Sequence, residues 1–164
     1  MSSTQQQVAA LLAENPNIIT LEIADKLNLP EGEVLCALPE QFVRIFSADR
    51  LEEVLTTISQ WGIFTTIIEK EGSIFEIKDR FPSGMIARGY YNLNMKDEEG
   101  TLHGHLKIDN IAKIAFVSLP FRGKESYNIA FIAPNGKTVF KVYLGRDEHR
   151  QLFPEQVAHF NAFK

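Results

Sequence analysis

Near residue 63 the apolar residues of this 164-residue chain change their spacing from helical to alternating. That switch restricts the fold more than any other feature, because a helix and a strand present their apolar sides with different periods. Before it, Val8, Leu11 and Leu12 form one short apolar face that Asn15-Pro16 ends. Two more helices are expected over Thr20–Leu29 and Pro30–Leu38, with Thr20 as a cap and Pro30 near a first turn. A fourth is expected from Leu51 to Trp61, with Leu51, Val54, Leu55 and Ile58 on one side. After the switch, Ile63–Glu69 and Ser73–Lys78 flank Lys70-Glu71-Gly72 as a hairpin. Met85–Met95 and Thr101–Ile108 flank the acidic turn 96–100, and Ile111–Leu119 runs up to Pro120. Ile129–Ala133 and Thr138–Leu144 flank Pro134-Asn135-Gly136, a strong turn signal. A last amphipathic helix is expected over Asp147–Phe163, burying Leu152, Val157, Phe160 and Phe163. Helices, then an antiparallel meander, then a helix define an α+β fold. The expected division is a helical subdomain over 1–60 and an antiparallel sheet core with its C-terminal helix over 61–164.

Composition narrows the function classes. With 45% hydrophobic and 23% charged residues the chain supports a real core. No window approaches the roughly 18 apolar residues that span a bilayer. The start, MSSTQQQVAALLAENP, has no basic segment and soon reaches acid and proline, so an export signal is not expected. Cys36 is the only cysteine, which excludes an intrachain disulfide and a zinc–cysteine cluster. A cytoplasmic location is the expectation. Charge is uneven: residues 1–60 carry a net −6 and residues 61–164 a net +2. An acidic helical half beside a mildly basic half suits an anionic ligand in the second, and equally fits a solvated surface of uneven charge.

Two motifs lose their sharper reading on inspection. Leu21–Leu38 has the apolar spacing of a helix-turn-helix, but its reading helix, Glu31–Pro39, carries Glu31 and Glu33 and no lysine, arginine, asparagine or glutamine. A helix entering a phosphate-lined groove needs the opposite charge, so nucleic acid is not an expected partner. Leu144–Leu152 leads from a strand into the last helix, with Asp147 as cap and Arg146 either pairing with an acid or reaching a ligand, the structural role being favoured. His149 and His159 are expected at the surface.

The segment Phe81–Asn110 carries the chemistry. Alternation over Met85–Met95 places Ile86, Arg88, Tyr90 and Asn92 on one face, and Ala87, Gly89, Tyr91 and Leu93 on the other. Over Thr101–Ile108, His103, His105 and Lys107 share a face. A pairing in which partner numbers total 195 would set Tyr90 opposite His105, Arg88 opposite Lys107 and Asn92 opposite His103. The turn length does not fix that register. A phenolate is a hard anionic ligand suited to ferric iron, and tyrosine is an axial ligand of haem. A free phenol titrates near ~10, so ligation at neutral pH needs the iron, helped by a cation such as Arg88. Arg88 or Lys107 would alternatively pair with propionates. Composition alone also accommodates Tyr90 and Tyr91 as ordinary strand aromatics beside exposed histidines, and Tyr91 is expected in the core.

Several short pieces, in this order, resemble the HutX/ChuX family of bacterial haem-utilisation carriers. They are Trp61-Gly62 with Thr65-Thr66, Pro82-Ser83-Gly84, Gly89-Tyr90-Tyr91-Asn92-Leu93, Gly104-His105-Leu106-Lys107, and Leu144-Gly145-Arg146-Asp147 leading to His149-Arg150-Gln151-Leu152. The resemblance implies a cytosolic protein that binds ferric haem after import and passes it to a haem-degrading partner, itself no enzyme. It implies a sheet platform like one repeat of the larger two-repeat haem-utilisation proteins, and hence a homodimer. The family's candidate ligands fall on Tyr90 and, second, on His105, with Arg88 or Lys107 as supporting cations. A histidine proposed as ligand in some members falls on Glu69 here. The acidic helices would dock the receiving protein. The rival readings are a haem-degrading enzyme and a ligand-sensing helix-turn-helix regulator.

Overall fold

A computed structural model of the chain describes residues 1–96 and 102–164, so most of the expected acidic turn lies outside the described residues. The first helix, α1 (Ser3–Glu14), begins with a reciprocal cap. Gln5 N–H donates to Ser2 Oγ at 3.1 Å, and Ser2 N–H donates to Gln5 Oε1 at 2.7 Å. Helix α2 (Thr20–Leu27) ends where Asn28 turns left-handed, and α3 (Glu31–Cys36) follows Pro30. Thr20 does not cap α2, contrary to expectation: Ile19 stands at that position, and the Thr20 hydroxyl donates to Glu31 Oε2 at 2.7 Å. A tertiary partner there outcompetes the local cap.

Strand β1 (Val43–Ser47) lies between two expected helices, inside the segment expected to form a helical subdomain. Five residues are too few to show a period, and β1 exists because it pairs with a strand some seventy residues later. Helix α4 (Leu51–Ile58) buries all four of its expected apolar residues. Strands β2 (Ile63–Lys70) and β3 (Ser73–Arg80) form the expected hairpin through Glu71 and Gly72, both at positive φ. Next come β4 (Gly84–Ala87), β5 (Tyr90–Leu93), β6 (Gly104–Lys107), β7 (Lys113–Val117), β8 (Asn128–Ile132) and β9 (Thr138–Leu144). The single strand expected over Met85–Met95 is thus two strands. Arg88 and Gly89, at φ 56° and 82°, make a two-residue turn between them.

Helix α5 (Pro154–Ala162) starts seven residues later than expected. Asp147 caps no helix; its Oδ1 accepts the N–H groups of His149 and Gln151 at 2.8 and 3.0 Å and closes a turn instead. Pro154 then opens α5 at its first position.

The sheet order is β1-β7-β8-β9-β2-β3, antiparallel throughout, with β4-β5-β6 as a separate three-stranded sheet. The large sheet is therefore a meander only in part: β9 returns to pair with β2. Strand β8 is buried along its whole length because both of its faces are covered. One face carries Ile114, Phe116, Ile129, Phe131, Phe140 and Val142, packed under α4, α5 and the inner residues Tyr91 and Leu93 of the small sheet. Phe131 stacks on Phe140 with ring centroids 4.3 Å apart. Each such fully buried side chain contributes about 1.5–3 kcal/mol. The other face, with Ala115, Val117, Ala130 and Ile132, packs against α1–α3.

Two polar devices bind the layers. Lys141 of β9 donates to Glu31 Oε2 at 2.7 Å, a buried ion pair that the Thr20 hydroxyl completes. On the opposite side, buried Gln156 of α5 accepts Gly145 N–H at 2.7 Å and donates to the carbonyls of Trp61 and Ile63 at 3.0 and 2.9 Å. A Cβ at Gly145 would lie 2.2 Å from the Ile63 carbonyl oxygen. That close approach requires glycine at this position.

Candidate functional site

The small sheet separates two neighbouring tyrosines. Successive residues of a strand point to opposite faces, so Tyr91 turns inward and Tyr90 outward. Tyr91 is 2% exposed; Tyr90 is 37% exposed. Gly84 makes the inward placement possible, since a Cβ there would come within 2.3 Å of the Tyr91 ring. The segment Pro82-Ser83-Gly84 thus seats the hairpin on the core, and β5 presents Tyr90 from a rigid base.

Pairing of β5 with β6 sets Tyr90 opposite Lys107, Tyr91 opposite Leu106, Asn92 opposite His105 and Leu93 opposite Gly104. The two polar faces do fall on the same side of the sheet. The pairing nevertheless differs by two residues from the one that set Tyr90 opposite His105 and Asn92 opposite His103. Alternation has a period of two and does not distinguish the two pairings, while the hairpin at Arg88-Gly89 places Arg88 at a turn and removes it from the ladder altogether. Arg88 is exposed there and does not face Lys107 across the strands as expected.

The outer face carries Met85 and Ala87 of β4, Tyr90 and Asn92 of β5, and His105 and Lys107 of β6. The Tyr90 and His105 rings meet edge to face, with centroids 6.3 Å apart and planes at 82°. Between the strands, Asn92 Oδ1 lies 2.6 Å from His105 Nδ1. Asn92 Nδ2 donates to the Met85 carbonyl at 3.1 Å. Met85 is 59% exposed and Ala87 is exposed, so an apolar strip runs beside the polar row. An open face with one phenol, one imidazole, one ammonium group and an apolar margin suits a flat, amphipathic, anionic ligand with a metal at its centre.

His103 lies just before β6, where its Nε2 is 3.3 Å from Asn94 Nδ2. Glu69 accepts Gly72 N–H at 2.7 Å and supports the β2–β3 turn. Arg146 is held by the carbonyls of Glu125 and Arg150. His149 is exposed, and exposed His159 stacks on Trp61 with centroids 5.7 Å apart. Among the described residues, no group of three or more His, Cys, Asp and Glu is placed to hold a metal ion. A metal brought in by its own macrocycle does not need such a group.

Sequence reasoning placed Asn92 and Tyr90 on one face but gave Asn92 no part in the site. Alternation leaves the β5–β6 register open, so nothing local pairs Asn92 with His105. Met85 escaped notice because the unbroken strand put it on the opposite face from Tyr90; the Arg88-Gly89 pair, an X-Gly dipeptide between alternating runs, marks the hairpin that turns it.

Comparison with known proteins identifies relatives of the whole chain. The haem utilisation ChuX/HutX family model matches residues 44–163. The chain is 48% identical over 164 residues to the intracellular heme transport protein HutX of Vibrio cholerae, covering 100% of this chain and 84% of that protein. The structure of the heme binding protein ChuX superposes with a TM-score of 0.83 at 31% identity, covering 97% of this chain and 95% of that one. The heme-binding protein PhuS of Pseudomonas aeruginosa, in its apo form, shares the fold with a TM-score of 0.77 at 14% identity. That match covers 98% of this chain but 48% of PhuS, as one repeat of a two-repeat protein does. Among the described residues no helix is long and apolar enough to cross a membrane. The mixed architecture, the family match and the full-length identity lead to one conclusion: the chain belongs to the ChuX/HutX family of haem-utilisation proteins.

Proposed function

We propose that this chain is a cytoplasmic carrier that holds ferric haem through the Tyr90 phenolate and passes it to a haem-degrading partner. The observation that carries this reading is the outer face of the small sheet, where Tyr90 projects beside Lys107 and His105 while Tyr91 anchors the strand in the core. Ferric haem supplies the metal for the phenolate, and Lys107 lies directly across the ladder from Tyr90. His105 stands one rung away as an assisting group. Arg88, two residues before Tyr90 at the hairpin tip, reaches outward to pair with propionates. Met85 and Ala87 offer apolar contact to the porphyrin. A single anionic axial ligand on an open face holds haem against free loss and leaves its far side available to an acceptor.

The chain acts as a homodimer in this reading. Strand β3 is an eight-residue sheet edge that exposes Ile74 and Phe75 at 60% and 56%, an edge that soluble proteins cover or charge. Phe75→Glu is expected to shift the sedimentation coefficient to that of a monomer.

The deciding experiment titrates the apo protein with ferric haem beside Tyr90→Phe and His105→Ala. A saturable spectrum with tyrosinate charge-transfer bands, lost in Tyr90→Phe, supports the carrier. A spectrum unchanged in Tyr90→Phe but lost in His105→Ala moves the ligand to histidine. Turnover of bound haem with reductant and oxygen, releasing iron and a linear tetrapyrrole, would make the chain an enzyme instead.

A further inference from the structure

The two ends of the Asn92 carboxamide are distinguishable by what surrounds them. Its Nδ2 faces three main-chain oxygens, those of Met85 at 3.1 Å, Tyr90 at 3.3 Å and Ala87 at 3.4 Å. Turning the amide over would press Oδ1 against those oxygens, acceptor against acceptor, so the network itself assigns the orientation. Oδ1 therefore faces His105 Nδ1 at 2.6 Å, and a carbonyl oxygen can only accept. Nδ1 is then the nitrogen that carries the proton. In the neutral ring the lone pair lies on Nε2, on the far side of the imidazole from the bond to Asn92.

We propose that Asn92 is the positioning residue of this site: it locks His105 as the Nδ1–H tautomer and presents a bare Nε2 to the haem on the Tyr90 face. Cross-strand pairing of Asn92 with His105 fixes the distance, and the three carbonyls fix the direction. The device is the one by which metal-binding histidines are commonly oriented, with the second ring nitrogen donating to a fixed oxygen. The functional half of the proposal rests on the haem-carrier reading. The tautomer itself does not.

The test has an apo part and a haem part. In the apo protein, at a pH above the imidazole titration, nitrogen-15 NMR should show His105 with Nδ1 protonated and Nε2 bare. Asn92→Asp keeps an acceptor but loses the donor bonds to the carbonyls; it should preserve the tautomer. Asn92→Leu should lose the tautomer preference. For haem, Asn92→Leu should bind about tenfold more weakly. It should cost nothing further in a His105→Ala background, since a residue acting through His105 has no effect without it. An Nε2-protonated His105 in the wild-type apo protein would overturn the proposal. So would an Asn92→Leu penalty that persists undiminished in His105→Ala, which would mark Asn92 as a support of the hairpin alone. Failure of the wild-type protein to bind haem saturably would sink the carrier reading and the functional half here. The apo tautomer would still be answered.

Discussion

The trio Thr20, Glu31 and Lys141 links two helices to a strand, whereas the row Tyr90, Asn92, His105 and Lys107 lies on the two strands β5 and β6. The first faces a layer of helices, and the second faces solvent. In the trio every charge has a partner of opposite sign or a hydroxyl within 2.7 Å, and the acid and the lysine are each 9% exposed. A buried charge that lost its partner would have no water to replace it. In the outer row Asn92 spends its hydrogen bonds on orienting His105, while the phenol of Tyr90 is turned outward. The buried trio joins two layers of the molecule, whereas the outer row leaves Tyr90 and Lys107 at the surface.

That contrast is sharpest where one partner is removed. Glu31→Ala leaves Lys141 buried and unpaired, and should cost about 3–5 kcal/mol in urea denaturation while the same protein, below its midpoint, still binds haem. Loss of haem binding without loss of stability would break the distinction. The companion change, Glu31→Met with Lys141→Met, should recover most of that stability. Next in size, Gln156→Leu strips one donor pair and one acceptor from the β2–β9–α5 junction, and should cost about 1–3 kcal/mol by the same measurement.

Tyr90→Phe and His105→Ala should do the reverse. Each should stay within about 0.5 kcal/mol of wild-type stability, since both side chains lie on the exposed face. Tyr90→Phe should nevertheless abolish the tyrosinate bands of the ferric haem complex. A stability loss comparable to that of Glu31→Ala would show that the outer row is also part of the scaffold.

The smallest expected effect is an alkaline one. The hydrogen bond from the Tyr127 hydroxyl to Glu125, with burial and the carboxylate charge adding to it, pushes the phenol up to about 12 from its ordinary 10.0. A group whose folded value is raised adds stability that is whole below the unfolded value and lost as pH climbs through the folded one. Stability should therefore decline between about pH 10 and pH 12. Tyr127→Phe should flatten that part of the profile. Burial raises the Tyr143 phenol too, so a residual slope should remain in the variant.

Much of the scaffold was legible because its signals are local. The α4 face, the β2–β3 turn at Glu71-Gly72 and the turn before β9 each follow from residues within one or two turns of chain. The pleat alone sent Tyr91 inward and Tyr90 outward. Expectations failed where a distant partner decided. Strand β1 depends on β7, Thr20 abandoned a helix cap for Glu31, and Asp147 closed a turn ahead of Pro154 where a helix start was expected. The outer row was half legible: alternation grouped Tyr90 with Asn92, and His105 with Lys107. Arg88 was misplaced because its left-handed turn resembles continuing strand when only apolar alternation is counted.

The sequence by itself determined the apolar face of α4, the hairpins before β3 and β9, and the opposite facing of Tyr90 and Tyr91, because those properties repeat within a few residues. The tertiary structure decided the rest: which rung of β5 meets which rung of β6, and therefore that Asn92, and not Tyr90, holds His105. Side-chain alternation has a period of two and is indifferent to a slip of two residues, so it selects a face but not a partner. The Arg88-Gly89 turn sets the register of β4 with β5, while Tyr91 over Gly84, together with Phe81, Leu93 and Leu106, seats the small sheet on the core and with it the position of Tyr90.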